Sequence, residues 1–343
     1  NGSVEIGKYS VGIYNNDGAE IINDGNIVSS ADGVTALYID GSSNTAGANS
    51  KTIKLTGEKS VGVYISENGS KTFENTGTIE TGDSNSATPN IGIYNKSGNI
   101  DNSGNIKIGN SLIIDPQNPF VNEYAVGIYG DGVKNIKNTG NIEVGANAVG
   151  FYITGNLNEA LNTGNISSDS EKAIGIYSEQ GAVRNTGNIT LSGDGSIGIA
   201  AARNSKISNS GTITMNGNEN IGIYAHSNSQ IINESTGKIY INGNNSTGIQ
   251  LSGGSILENH GLIEIASGTI GSVQVVTGEA AYTPPSIINA GIIKVDEKFE
   301  LNGFDLIIKP DPSSFRVPTT EEVALNGYSP EDINGGFLLS NSV

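Results

Sequence analysis

At 343 residues, without a single cysteine and with 35 acidic against 18 basic side chains, the chain excludes several protein classes before any motif is sought. Disulfides, thiolate metal sites and cysteine nucleophiles are ruled out together, and a net charge of -17 opposes any sequence-independent grip on nucleic acid or anionic lipid. No run approaches the roughly 20 apolar residues of a membrane-spanning helix, so no membrane insertion by this segment is expected.

Glycine is abundant, at 48 residues, and aromatic content is 6%, a composition that suggests disorder until the regular spacing of Val and Ile is noticed. Residues 1–7 set Val4 and Ile6 between polar neighbours and read as the last strand of a coil whose beginning is missing. Residues 1–15 also lack a basic n-region followed by an apolar h-region. The uncapped first strand predicts a segment of a longer solenoid, since repeat proteins carry polar caps at their natural ends, and the second feature predicts that the chain starts as mature protein or as a fragment.

The phrase Ser10-Val11-Gly12-Ile13-Tyr14 then recurs at Val61 to Tyr64, Ile91 to Tyr94, Val126 to Tyr129, Val149 to Tyr152, Ile174 to Tyr177 and Ile221 to Tyr224. Weaker copies lie at 33–38, 196–200 and 246–250, with an eleventh at Gly271. The spacing is mostly 23 to 26 residues, and self-similarity at such a period marks a stacked repeat. Strand alternation predicts that Val11 and Ile13 share the core face, while Gly12 and Tyr14 share the outer one.

A second segment in each repeat ends in Asn, as in Ile136-Lys137-Asn138-Thr139-Gly140. Period two places this Asn inward with the Ile, at Asn23, Asn75, Asn102, Asn138, Asn162, Asn185, Asn209, Asn233, Asn259 and Asn289. Asn-x-Gly also signals a turn, for which glycine would supply positive φ. A third segment adds an inward pair such as Ile106 and Ile108, Ile142 and Val144, or Ile263 and Ile265, with Lys107, Glu143 and Glu264 as outward alternates. Three half-buried strands per repeat predict an all-β, three-sided parallel β-helix of about 11 coils, on the order of 50 Å long at about 4.8 Å per coil.

Three insertions interrupt the pattern at its corners: 81–89, 111–124 and 276–286. Loops on a rigid scaffold are where binding residues gather, so Asp115, Gln117, Asn118, Phe120 and Tyr124 of the second insertion, with Tyr282 of the third, are candidate binding residues. From 296 the repeat fails. Six of the nine prolines lie between 284 and 330, and residues 296–343 read as a separate module or the root of an insertion. Asp305 to Lys309 is one possible further strand within it, and Thr319 to Leu325 could open a short helix from a threonine cap.

Catalysis would require positioned titratable groups in a cleft. Histidine supplies only His226 and His260, both read as edge or turn residues, and no metal-ligand spacing occurs. Three arginines, Arg184, Arg203 and Arg316, form no cluster with carboxylates of the kind that pectin-acting β-helices use. No catalytic residue, metal or cofactor is therefore predicted. The outward column Tyr14, Tyr38, Tyr64, Tyr94, Tyr129, Tyr152 and Tyr177, broken at Ala200 and resumed at Tyr224, reads first as stacked rings covering bare glycine backbone. Its second reading is an aromatic strip for sugars or a partner protein, which adds Tyr94, Tyr129 and Tyr152 to the candidate binding residues.

Taken together, the strand triplets, the Gly and Tyr columns, the Asn-Thr-Gly-Asn-Ile turns and the lack of cysteine resemble the passenger of type V autotransporters over residues 1–295. The phrasing looks most like the large fusobacterial outer-membrane adhesins of the RadD type. That resemblance implies a right-handed β-helix displayed on the surface of a Gram-negative bacterium, carried by an outer-membrane β-barrel elsewhere in a longer chain. It implies attachment to host cells or other bacteria through a surface protein or glycan. A passive stalk presenting a distal tip and a carbohydrate-active β-helix are the alternatives.

Overall fold

The computed structural model describes residues 3–15, 20–40, 47–66, 72–85, 88–111, 124–132, 135–155, 159–266, 273–276, 285–295 and 305–308. Every regular element among them is a strand, and the 35 strands repeat in the order phrase, Asn segment, third segment. Like segments of successive coils pair in parallel, giving a phrase sheet of 11 strands, an Asn sheet of 12 and a third sheet of 12. The protein is a three-sided β-solenoid. Short strands rich in Ile and Val, separated by Gly and Asn corners, leave the chain no other way to bury both an inward Ile column and its own backbone polar groups.

The phrase sheet runs from Val11–Asn15 (β2) to Val273–Val276 (β32), and the Asn sheet begins at Ile21–Asn23 (β3). Ile128, Phe151, Ile176, Ile199, Ile223 and Ile249 from the phrase meet Ile106, Ile142, Ile189, Ile213 and Ile239 of the third sheet in one continuous buried column. Burying each such side chain contributes about 1.5–3 kcal/mol gross, and every coil borrows its neighbours to do so.

Alternation inside the phrase is not the simple one expected. In Val61–Ile65 (β8) and Ile91–Asn95 (β11), the second and third residues are both buried, while the first and fourth are half-exposed. Gly therefore points inward beside the Ile that follows it, and the first residue, Val or Ile, joins Tyr on the outer face. The expectation that Gly shares that outer face with Tyr is corrected. A Cβ on Gly127 would lie 2.5 Å from the Gly150 carbonyl oxygen and 2.8 Å from Ile142 Cγ2. A small residue at the second position lets two successive positions turn inward: glycine in most coils, and Ala36 in Thr35–Ile39, where Ala36 and Leu37 are both buried.

The Asn–x–Gly glycines also differ from expectation in their physical cause. Gly140 has no positive φ; a Cβ there would sit 2.0 Å from the carbonyl oxygen of Gly104 in the previous coil. Close stacking of the corners selects glycine. Left-handed backbone is found instead on either side of the phrase: before it at Lys59, Asn147, Lys172, Glu219 and Asn245, and after it at Gln180, Arg203, Asn204, Ser227 and Asn228.

The inward Asn column is present and longer than the sequence reading placed it. Asn49, followed by Ser50-Lys51 in place of x-Gly, lacks the turn signal yet stands in the column between Asn23 and Asn75. From Asn23 to Asn289 each side-chain Nδ2 donates to the Oδ1 of the Asn in the next coil, at 2.6–2.9 Å. The same nitrogen of Asn138 also reaches the Gly140 carbonyl at 3.4 Å. Buried amides are thus satisfied by one another and by the corner backbone.

Beyond residue 295, Asp305–Ile308 (β35) pairs in parallel with Ser286–Asn289 (β33), setting Ile308 opposite Asn289. One strand expected in the tail thus extends the Asn sheet. The expected helix at 319–325 lies outside the described residues.

Candidate functional site

Pairing in the phrase sheet sets Tyr14, Tyr38, Tyr64, Tyr94, Tyr129, Tyr152 and Tyr177 directly opposite one another in successive coils. Their rings form an outer ladder with centroids 4.7–5.2 Å apart. Spacing between paired strands, about 4.8 Å, imposes that distance. The middle of the ladder is a parallel stack: the planes of Tyr64 and Tyr94 differ by 2°, and those of Tyr94 and Tyr129 by 11°. The order then breaks, because Tyr152 stands edge-on to Tyr129 at 89°.

Burial rises along the same line. Tyr14 is 55% exposed and Tyr177 is 7% exposed. Val126, Val149 and Ile174, the outward first residues of their phrases, form a second apolar cluster with Tyr177, Ala200 and Ala202, and Tyr129, Tyr152 and Tyr224 pack against it. Tyr124, which ends the 111–124 insertion, packs there too. The gap at Ala200 is closed: Ala200 and Ala202 are both 1% exposed, so no open slot separates Tyr177 from Tyr224.

From Tyr38 onward, the residue two after each Tyr of the ladder is polar: Asp40, Ser66, Lys96, Asp131, Thr154 and Glu179. Tyr152 Oη donates to Glu179 Oε2 at 3.0 Å, and Arg203 pairs with the other oxygen of that carboxylate. Burial holds the Tyr94, Tyr152 and Tyr177 phenols well above the usual tyrosine range. It pushes Tyr129 up to about 12, with the Asp131 carboxylate adding to the effect. These phenols stay protonated and neutral throughout the physiological range.

Of the sequence-derived candidates, the structure brings Tyr94, Tyr129 and Tyr152 into one ladder and sets Tyr124 against the cluster beside it. Asp115, Gln117, Asn118, Phe120 and Tyr282 lie outside the described residues. The aliphatic half of the outer face, Val126, Val149 and Ile174, was missed. A period-two reading assigned those residues to the core; the signal that would have found them is the unbroken Gly at the next position. His226 sits beside Tyr224, ring centroids 5.5 Å apart, and His260 lies 3.8 Å from Glu258. Among the described residues, no group of three or more His, Asp or Glu side chains converges as metal ligands would, and no helix is long and apolar enough to cross a membrane. Compared with protein families, with curated proteins and with solved structures, the chain has no match.

Proposed function

We propose that this chain is a segment of a bacterial surface adhesin, an autotransporter passenger that attaches its cell to host cells or other bacteria by binding a protein or glycan. In this reading a β-barrel elsewhere in a longer chain anchors it at the outer membrane of a Gram-negative cell, and no catalytic step is involved. The observation that carries it is the solenoid itself. Internal Asn and outer Tyr ladders give a rod whose coils support one another without disulfides, and the sequence interrupts the repeat with the polar and aromatic residues 111–124, of which the described Tyr124 packs against the outer cluster. Rigid scaffold plus corner insertion is the arrangement on which binding residues are usually mounted.

The ladder geometry favours a protein partner over a sugar along its stacked part. Sugar recognition by aromatic rings uses a free ring face, and from Tyr38 to Tyr129 each ring turns a face to its neighbour. That same self-sufficiency supports the second reading, a stalk that holds a distal tip away from the cell.

The test is adhesion of the purified chain, and of a variant lacking 112–123, to host cells and to partner bacteria. The adhesin reading expects saturable binding that the deletion abolishes. Unchanged binding would move the site off the insertion, absence of binding by the intact chain would favour the stalk, and release of reducing sugar from polysaccharides would establish an enzyme instead.

A further inference from the structure

We propose that the stacked run Tyr38, Tyr64, Tyr94 and Tyr129 is an oxidative modification site, where neighbouring rings couple into dityrosine links that staple successive coils. The inference stands on ring geometry and composition and does not rest on the adhesin reading.

Dityrosine forms when two phenoxyl rings meet with their ortho carbons side by side. Three pairs hold near-parallel rings in direct contact, from which a turn of the side chains can bring ortho carbons together: Tyr38–Tyr64 at 4.8 Å and 21°, Tyr64–Tyr94 at 5.1 Å and 2°, and Tyr94–Tyr129 at 4.8 Å and 11°. Their backbones are directly paired, so the two rings of each pair project from neighbouring strands at the same register. Tyr129–Tyr152 stands outside the stacked run, its rings crossing at 89°, and the Tyr152 phenol is engaged by Glu179. Composition removes the competitors. Cysteine and tryptophan are absent and a single methionine is present, and that residue, Met215, is fully buried. Oxidants that ordinarily attack exposed sulfur first meet tyrosine instead.

The chemistry balances with a haem peroxidase and hydrogen peroxide as the oxidant. Each of two phenols loses one electron and its phenolic proton. The two radicals join through a new ortho carbon–carbon bond, and the ortho hydrogens shift to the oxygens as the rings regain aromaticity. The two electrons and two protons reduce one peroxide to two waters.

The experiment treats the folded chain at low concentration with haem peroxidase and hydrogen peroxide, then follows dityrosine fluorescence and maps linked peptides by mass spectrometry. The expected products are intrachain links joining 38 to 64, 64 to 94 and 94 to 129, each lighter than the parent pair by two hydrogen atoms. Tyr64→Phe keeps a ring in the stack and removes two of the three pairs, so the yield falls by about two-thirds while the 94–129 link persists. The same treatment of chain unfolded in urea serves as the control and should scatter links over all tyrosines. The proposal is overturned if the folded chain yields no dityrosine, yields it only between chains, or links non-neighbours such as Tyr9 and Tyr240 as readily as the stacked pairs.

Discussion

Gly127 and Asn138 share one coil and answer to different physics. The first is held by lack of space: a methyl group would press on the Gly150 carbonyl and on Ile142. Gly127→Ala is expected to cost about 1–3 kcal/mol, the usual penalty for overpacking, and a urea titration in which the variant matches the parent would contradict the inward placement. Asn138 is held by its partners. It accepts from Asn102 at 2.6 Å and donates to Asn162 at 2.7 Å, so Asn138→Leu strands a donor above and an acceptor below. Each orphaned group costs about 1–3 kcal/mol, whereas the outward neighbour change Lys137→Leu should stay within about 0.5 kcal/mol. Equal melting of these two variants would sink the ladder assignment.

At the scale of the strand, each phrase serves two interiors. Its third residue packs in the column shared with the third sheet, and its first and fourth form the outer cluster with their counterparts in adjacent coils. The tyrosines tie this arrangement to pH. Their folded pKa values lie above the ordinary value of about 10, mainly through burial. Below pH ~10 both states are protonated and the contribution is fully present. Above it the unfolded chain releases protons first, so stability falls as pH climbs through about 12, where Tyr129 ionises. Urea midpoints should therefore drop between about pH 9 and about pH 11, and the drop should be shallower in a Tyr129→Phe, Tyr152→Phe double variant. A midpoint independent of pH over that interval would refute the burial of these phenols.

For the whole rod, stability is a chain of nearest-neighbour terms. The first coil lacks a neighbour on one side among the described residues, and its outward Val11, Tyr14 and Ile22 are 44%, 55% and 61% exposed. In the middle coils Val149, Phe151 and Ile153 are fully buried. Amide hydrogen exchange should accordingly be fastest in the strands at 11–15 and 21–23 and slowest at 149–154 and 174–179, grading between them coil by coil. Uniform protection along the rod would mean that the coils unfold as a single unit.

The coil count, the parallel pairing, the inward Asn column and the Tyr column were all legible in the sequence, because each depends only on the period of the repeat and on residue type. What period could not reveal was the direction of two neighbours in every phrase. Whether Val or Gly turns inward depends on how near the next coil's carbonyl and the facing Ile stand, as at Gly127, and that distance exists only once the coils are stacked. The same holds for Asn49, whose local sequence lacks the turn signal and whose place is set by Asn23 and Asn75 on either side. It holds too for the tyrosines, whose column is periodic while the angle between neighbouring rings runs from 2° to 89°. Local chemistry determined which side chains repeat, and packing between coils decided which way they point.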